Sequence, residues 1–205
     1  MTQVYEQHLW GGRDHDLYSG EGSHLPELVN PYVKVVSSFL TGFNVPPVVC
    51  DLGCGDFNVG SQLVDYAQSY IAVDIVEPLI RYNQKHFKEK YLEFKTLDLA
   101  TDALPSGDVV LLRQVLQHLS NKEVASIAEK LKHYKHVILT EHIPTGDFTP
   151  NLDIISGQGT RLKKQSGVDL LAPPFNLKVK TSIPLLFLPC SDGKSEIITS
   201  LYTMF

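Results

Sequence analysis

Short apolar runs that close on a polar residue alternate along this chain with longer stretches of helical spacing. Pro26 to Leu40 predicts the first helix, with Leu28, Tyr32, Val35, Val36 and Phe39 on one face. A strand follows at Pro47 to Asp51, then a helix at Val59 to Gln68 that should begin near Asn58, a strand at Tyr70 to Asp74, and a helix from Glu77 to about Phe87. Pro78 suits that helix's first turn. Leu92 to Leu97 and Asp108 to Arg113 read as interior strands, and Ser120 with Glu123 is a capping-box signature for a helix through His133. His136 to Thr140 supplies a fifth strand. Only the turn Ser191-Asp192-Gly193-Lys194 separates Leu177–Leu188 from Glu196–Met204, so these two pair as an antiparallel hairpin.

The most informative stretch is VVCDLGCGDFNVG, Val48 to Gly60, where an apolar strand ends on Asp51 and breaks at once into a glycine turn. Gly53 and Gly55 let the backbone turn tightly beneath a bound cofactor. The next strand closes on Asp74, about 20 residues further on, where an acid can accept hydrogen bonds from both ribose hydroxyls. A plain strand, turn and helix without ligand predicts neither acid.

These two segments resemble the first two motifs of the class I S-adenosylmethionine-dependent methyltransferases, whose D-x-G-x-G turn cradles the methionine end of the cofactor. The resemblance covers most of the chain from Val48 onward. It implies an α/β, doubly wound Rossmann-like seven-stranded sheet, mostly parallel with a C-terminal antiparallel strand inserted beside the fifth. It also implies S-adenosyl-L-methionine as cofactor. An NAD-dependent oxidoreductase competes, but dinucleotide folds want a third glycine where Asn58 stands, to bring a pyrophosphate close. A second alternative is a non-catalytic S-adenosylmethionine-binding regulatory protein.

The 205 residues, 43% of them hydrophobic, support one substantial core. The expected organisation is a single domain: residues 1–45 a lid and helix, 46–142 the cofactor-binding core, 143–175 an acceptor-site loop, and 176–205 the terminal hairpin. Net charge is -5, and the basic residues are dispersed, which disfavours a nucleic-acid partner. No run approaches the roughly 20 apolar residues of a membrane span, and the first residues lack a signal peptide's hydrophobic region, so a cytoplasmic location and no membrane partner are expected. Cys50, Cys54 and Cys190 lack metal-ligand spacing, so no metal is expected and the thiols read as reduced.

Ligands of doubly wound sheets bind outside the carboxyl ends of the strands, which singles out the polar residues there. The resemblance assigns cofactor binding to Asp51, Gly53, Cys54 and Gly55 in the turn, to Asp74 and Ile75 after the second strand, to Asp98 and Leu99 after the third, and to Arg113 and Gln114 after the fourth. Asp51 and Asp98 can equally cap their own turns. Amino-methylating enzymes acting on nucleobases or amides often carry D/N-P-P-Y/F after the fourth strand; here the chain reads Arg113-Gln114-Val115-Leu116, and base methylation loses support. His118 and His142 are candidate general bases toward a substrate hydroxyl, each with a helix-capping or structural role as the alternative. Methyl transfer is an in-line displacement governed by alignment and exclusion of water, so a base is optional.

Two irregular segments remain. Leu9 to His24, glycine-rich with Trp10 and Tyr18, reads as a lid over the cofactor or as a floppy terminus; Ile143 to Phe175 should cover the acceptor. SGEGSH, CDLGCGD, RQVLQHLS, NLDI-x-x-G and DLLAPPF together are similar to small methyltransferase-like proteins of unassigned substrate. That likeness suggests Asn151, Asp153 and Arg161 for the acceptor pocket, although a loop tied down by its own side chains explains them equally well. The function expected is methyl transfer to oxygen or nitrogen of a small polar molecule.

Overall fold

A computed structural model describes residues 17–205, together with Gln7 and Leu9; of the segment read as a lid, Trp10 and the residues from there to 16 lie outside the described residues. Helix α1 spans Pro26–Thr41, and strand β1 Val48–Leu52. Strand β2 (Ser69–Asp74), helix α2 (Glu77–His86) and strand β3 (Leu92–Thr96) follow. Strand β4 (Val109–Arg113), helix α3 (Asn121–Leu131), strand β5 (His136–Pro144) and the hairpin β6 (Thr181–Pro189) and β7 (Ser195–Thr203) complete the chain.

The seven strands make a mixed sheet in the order β3-β2-β1-β4-β5-β7-β6. The chain divides into two compact units, one ending at Val109 and the other beginning at Val110. In the first, β1, β2 and β3 run parallel, Val49 opposite Tyr70 and Tyr70 opposite Leu92. The nearly continuous burial of β1 and β2 is what strands covered on both faces require, whereas β3, expected as an interior strand, is an edge strand that buries Phe94 and leaves Glu93 and Thr96 exposed. In the second, β7 lies antiparallel between β5 and β6, so the expected terminal hairpin and its insertion beside the fifth strand are both present. The capping box that opens α3 is complete: the Ser120 hydroxyl accepts from the Glu123 N–H, and the Glu123 carboxylate accepts from the Ser120 N–H.

Four further sequence expectations are corrected. The helix expected at Val59 to Gln68 is replaced by two 3-10 turns, Gly60–Gln62 and Val64–Tyr66. Phe57, held at φ 64°, fixes how the chain enters this segment, and Asn58 spends its carbonyl on the Ser61 hydroxyl and the Gln62 amide. Such side-chain bonds compete with a helical ladder. Second, α1 buries Val29, Tyr32, Val36 and Leu40, a face turned from the predicted one, leaving Leu28, Val35 and Phe39 half-buried. Third, β5 runs on to Pro144 because its partner β7 continues to Ser195, so Glu141 and His142 lie within a strand instead of after one. Fourth, β6 starts at Thr181, not Leu177, because Leu177 is buried and its N–H donates to the Leu170 carbonyl in the preceding loop. No helix among the described residues is long and apolar enough to cross a membrane.

Candidate functional site

In the first unit the glycine turn is built by the backbone. Gly53 (φ 88°) and Gly55 (φ 57°) take up the left-handed conformation that a side chain would strain. The N–H groups of Gly53 and Cys54 donate to the Val73 carbonyl of β2 at 2.7 and 2.9 Å, and that of Gly55 to Asp74 Oδ2 at 3.1 Å. Asp56 N donates to the Ser19 hydroxyl at 2.7 Å, Phe57 N to the Cys54 carbonyl at 3.1 Å, and Asn58 N to Asp56 Oδ1 at 3.2 Å. Every N–H from Gly53 to Asn58 therefore has a protein acceptor.

Carboxylates surround this turn. Asp51 Oδ2 accepts from the Tyr70 hydroxyl at 2.9 Å, and Asp74 Oδ1 accepts from the Val76 N–H at 3.0 Å. Asp51, Asp56 and Asp74 are each buried, and burial pushes the Asp74 carboxyl up from its ordinary value, against the pull of its backbone donors. Burial and the three neighbouring carboxylates likewise push the Cys54 thiol up. Ile75 is exposed immediately after Asp74. Asp98 caps its own turn, Oδ1 accepting from Ala100 N at 2.8 Å, while Leu99 is buried. Asn83, a residue the sequence reading passed over, is fully buried and donates to the Gly55 carbonyl at 2.8 Å. Its position on the inner face of α2 was the signal available.

Asp56 was missed as well. It accepts from Ser19 N at 2.9 Å, and its Oδ2 lies 2.6 Å from His24 Nε2, while the His24 ring stacks on Tyr18 with centroids 4.4 Å apart. The described part of the predicted lid is thus tied to the turn.

The second unit holds a different kind of arrangement, made by side chains. Arg113 is half-buried at the end of β4, and Gln114, at φ 57°, donates its N–H to the Thr140 carbonyl at 2.7 Å. His118 lies in the 3-10 turn Leu116–His118, its Nδ1 3.2 Å from the Gly159 carbonyl and its Nε2 3.3 Å from the Gln117 amide nitrogen. Burial lowers its pKa. His142 Nε2 lies 2.8 Å from Ser195 Oγ and 3.2 Å from Cys190 Sγ, and burial lowers this imidazole too, opposed by the charge of Asp192. The Ser195 hydroxyl donates to Asp192 Oδ2 at 2.7 Å. No sequence signal joined His142 to Ser195, since the antiparallel register of β5 and β7 brings them together.

Glu141 faces the other way on β5, as alternation along a strand demands. It is buried, Oε1 accepts from Leu116 N at 3.2 Å, and Oε2 has no partner. Burial pushes this carboxyl up to about 8, against the pull of the Leu116 N–H and the Arg161 guanidinium. Arg161 donates to the Leu116 and Leu119 carbonyls at 2.9 and 2.7 Å and to Asn121 Oδ1 at 2.8 Å. Asn151 binds the Asp169 and Pro173 carbonyls, and Asp153 accepts from Asn121 N. All three residues suggested for an acceptor pocket hold the loop to its neighbours.

Residues 49–135 match a family model described as a methyltransferase domain. No curated protein matches the chain by sequence. Among solved structures, the N-methyltransferase NodS from Bradyrhizobium japonicum WM9, in complex with S-adenosyl-L-homocysteine, superposes with a TM-score of 0.69 at 11% identity, covering 98% of this chain and 97% of that one. Human N-acetylserotonin methyltransferase in complex with S-adenosylmethionine gives 0.57 at 16% identity, over 89% of this chain and 54% of that one. Magnesium protoporphyrin IX methyltransferase from Synechocystis PCC 6803, with bound S-adenosylmethionine, gives 0.53 at 20% identity, over 83% and 77%. The fold is the one these methyltransferases share, and the stretch that matches the methyltransferase-domain model runs from the first strand into the segment before the fifth.

The residues of the turn fit S-adenosyl-L-methionine, the cofactor that the sequence resemblance implies. A pyrophosphate needs free backbone N–H groups and a helix N-terminus, and this turn has spent its N–H groups internally and leads into 3-10 turns. A phosphate-free cation bearing hydroxyls instead wants acceptors, which the three buried carboxylates supply.

Proposed function

We propose that this chain is an S-adenosylmethionine-dependent methyltransferase acting on oxygen or nitrogen of a small polar molecule, with His142 as general base. Asp51, Gly53, Cys54 and Gly55 would hold the methionine end of the cofactor, Asp74 and Ile75 the ribose, Asp98 and Leu99 the adenine, with Arg113 and Gln114 toward the reacting end. When bound, the cofactor supplies a methyl carbon activated by attachment to a sulfonium.

The chain's own task is to align the acceptor, keep water out and take one proton. The proton that the acceptor's oxygen or nitrogen gives up on methylation would pass to His142. One observation favours His142 over His118: both ring nitrogens of His118 face groups of its own turn and loop, whereas among the described residues only Nε2 of His142 is so engaged. Burial lowers the pKa of His142, so the ring is neutral and able to accept at neutral pH.

The test is transfer of radiolabelled methyl groups from S-adenosylmethionine into a panel of small alcohols, phenols and amines. His142→Ala should lower kcat by about 100-fold or more with cofactor affinity kept, and His118→Ala should change it less. The acid limb of the wild-type pH profile should fall below the ordinary imidazole value, since activity needs the deprotonated ring. Cofactor binding without transfer to any acceptor would turn the reading to a non-catalytic binding protein.

A further inference from the structure

The hydrogen bonds around His142 form a directed chain. Asp192, exposed on the hairpin turn, accepts from the N–H groups of Lys194 and Ser195 at 2.9 and 3.0 Å, and these bonds hold it as a carboxylate, an acceptor only. The Ser195 hydroxyl has one hydrogen, and it is donated to Asp192 at 2.7 Å. Ser195 Oγ, 2.8 Å from His142 Nε2, is therefore left with lone pairs only toward the ring. A stable contact at that distance requires the hydrogen to be on Nε2. The opposite arrangement, with the Cys190 thiol donating to a bare Nε2 from 3.2 Å, would set two lone pairs against each other across the shorter 2.8 Å contact.

We infer that Asp192 and Ser195 are positioning residues that lock His142 in its Nε2–H tautomer and so make Nδ1 its basic atom. The inference deepens the reading of His142 as general base and rests on it for its catalytic consequence; the tautomer itself stands on geometry alone. The relay does two things. It turns the lone pair of the ring away from the hairpin, and it stabilises the imidazolium formed when Nδ1 takes a proton, because the charge is met through Ser195 by the Asp192 carboxylate. Among the described residues, the titratable and polar groups at this ring are Asp192 and Cys190 from the hairpin turn and Ser195 from β7, while the Gln117 Oε1 accepts from the His142 backbone N–H at 3.1 Å. Glu141, next to it on β5, points to the opposite face. Ser195 is 3% exposed, so the hydroxyl is shielded from solvent that could replace the bond.

Nitrogen-15 NMR of the ring, on full-length protein labelled in histidine and without cofactor, reads the tautomer directly. His142→Gln assigns the signal. The wild type should carry its hydrogen on Nε2 with Nδ1 unprotonated above the ring's pKa. Ser195→Ala should erase that preference and lower kcat about tenfold, a fraction of the 10²–10⁴ a general base contributes, with KM unchanged. Ser195→Thr, which keeps a hydroxyl on a strand that favours β-branched residues, should restore both. A wild-type ring protonated on Nδ1, or a Ser195→Ala ring with its Nε2–H preference intact, overturns the inference. Should the tautomer be as stated while His142→Ala keeps full activity, the positioning relay stands and the assignment of the base falls.

Discussion

The turn in the first unit and the histidine cluster in the second solve the same problem, holding polar groups still, with different materials. Around Gly53 and Gly55 the work is done by backbone N–H groups and by carboxylates at the ends of adjacent parallel strands. Around His142 it is done by side chains that meet across a separation of 53 residues. A backbone-built site tolerates changes of side chain but not added bulk; a side-chain-built site responds to each hydrogen-bonding atom and to pH.

The largest expected effect tests that sensitivity to pH. Glu141 has one carboxylate oxygen buried without a partner, and its pKa stands at about 8, against 4.5 for an ordinary glutamate. Between these values the folded chain keeps a proton that the unfolded chain has released. The stability associated with this carboxyl is fully present below 4.5 and is lost as pH rises through 8. At about 1.4 kcal/mol per pH unit, the loss is on the order of 5 kcal/mol. Glu141→Gln cannot ionise, so its stability in urea should stay flat over this range while that of the wild type declines. Parallel profiles would show that Glu141 titrates normally.

The second prediction tests the intolerance of bulk. A Cβ built on Gly60 would lie 2.4 Å from Phe57 Cε2, 2.6 Å from Cδ2 and 2.8 Å from Asp51 Oδ2. Phe57 cannot move aside, being fully buried with its ring edge-on to Tyr70, Phe87 and Phe94. Gly60→Ala should therefore destabilise by about 1–3 kcal/mol, the usual cost of overpacking, where an alanine in an open helix would have stabilised. Thermal unfolding at one pH decides it; an unchanged midpoint would mean that the ring and the turn yield.

The two regions also differ in how far they could be read from the chain. The turn was legible because its determinants are local: an acid, two glycines and a second acid some 20 residues on, each at the end of an apolar run. The terminal hairpin was legible for the same reason, its strands separated by a four-residue turn. Gly60 carried no such signal, because only the Phe57 ring above it shows that a glycine is needed there. His142 was found as a histidine, but its relay was not, since Ser195 and Asp192 reach it only through the register of β5 against β7. Glu141 went unnoticed because its unpaired oxygen is a property of burial, which the extension of β5 beyond Thr140 creates.

The smallest effect expected on stability concerns Asp74, the residue in which the two ways of building meet, because its side chain completes a backbone turn. Both oxygens are committed, Oδ2 to the Gly55 N–H and Oδ1 to the Val76 N–H. Asp74→Asn keeps the shape but can accept through one atom only, so its amide must face one of those N–H groups. The loss of one net hydrogen bond in a buried turn is worth about 1 kcal/mol. A ribose held by the carboxylate would add its own loss, about 1–3 kcal/mol in affinity for S-adenosylhomocysteine, since bonds to a charged acceptor are the stronger kind. Urea unfolding and calorimetric titration separate the two. A stability loss with affinity unaltered would leave Asp74 as a stitch of the turn, whereas both losses together would make one carboxylate the point where a backbone cradle acquires its specificity.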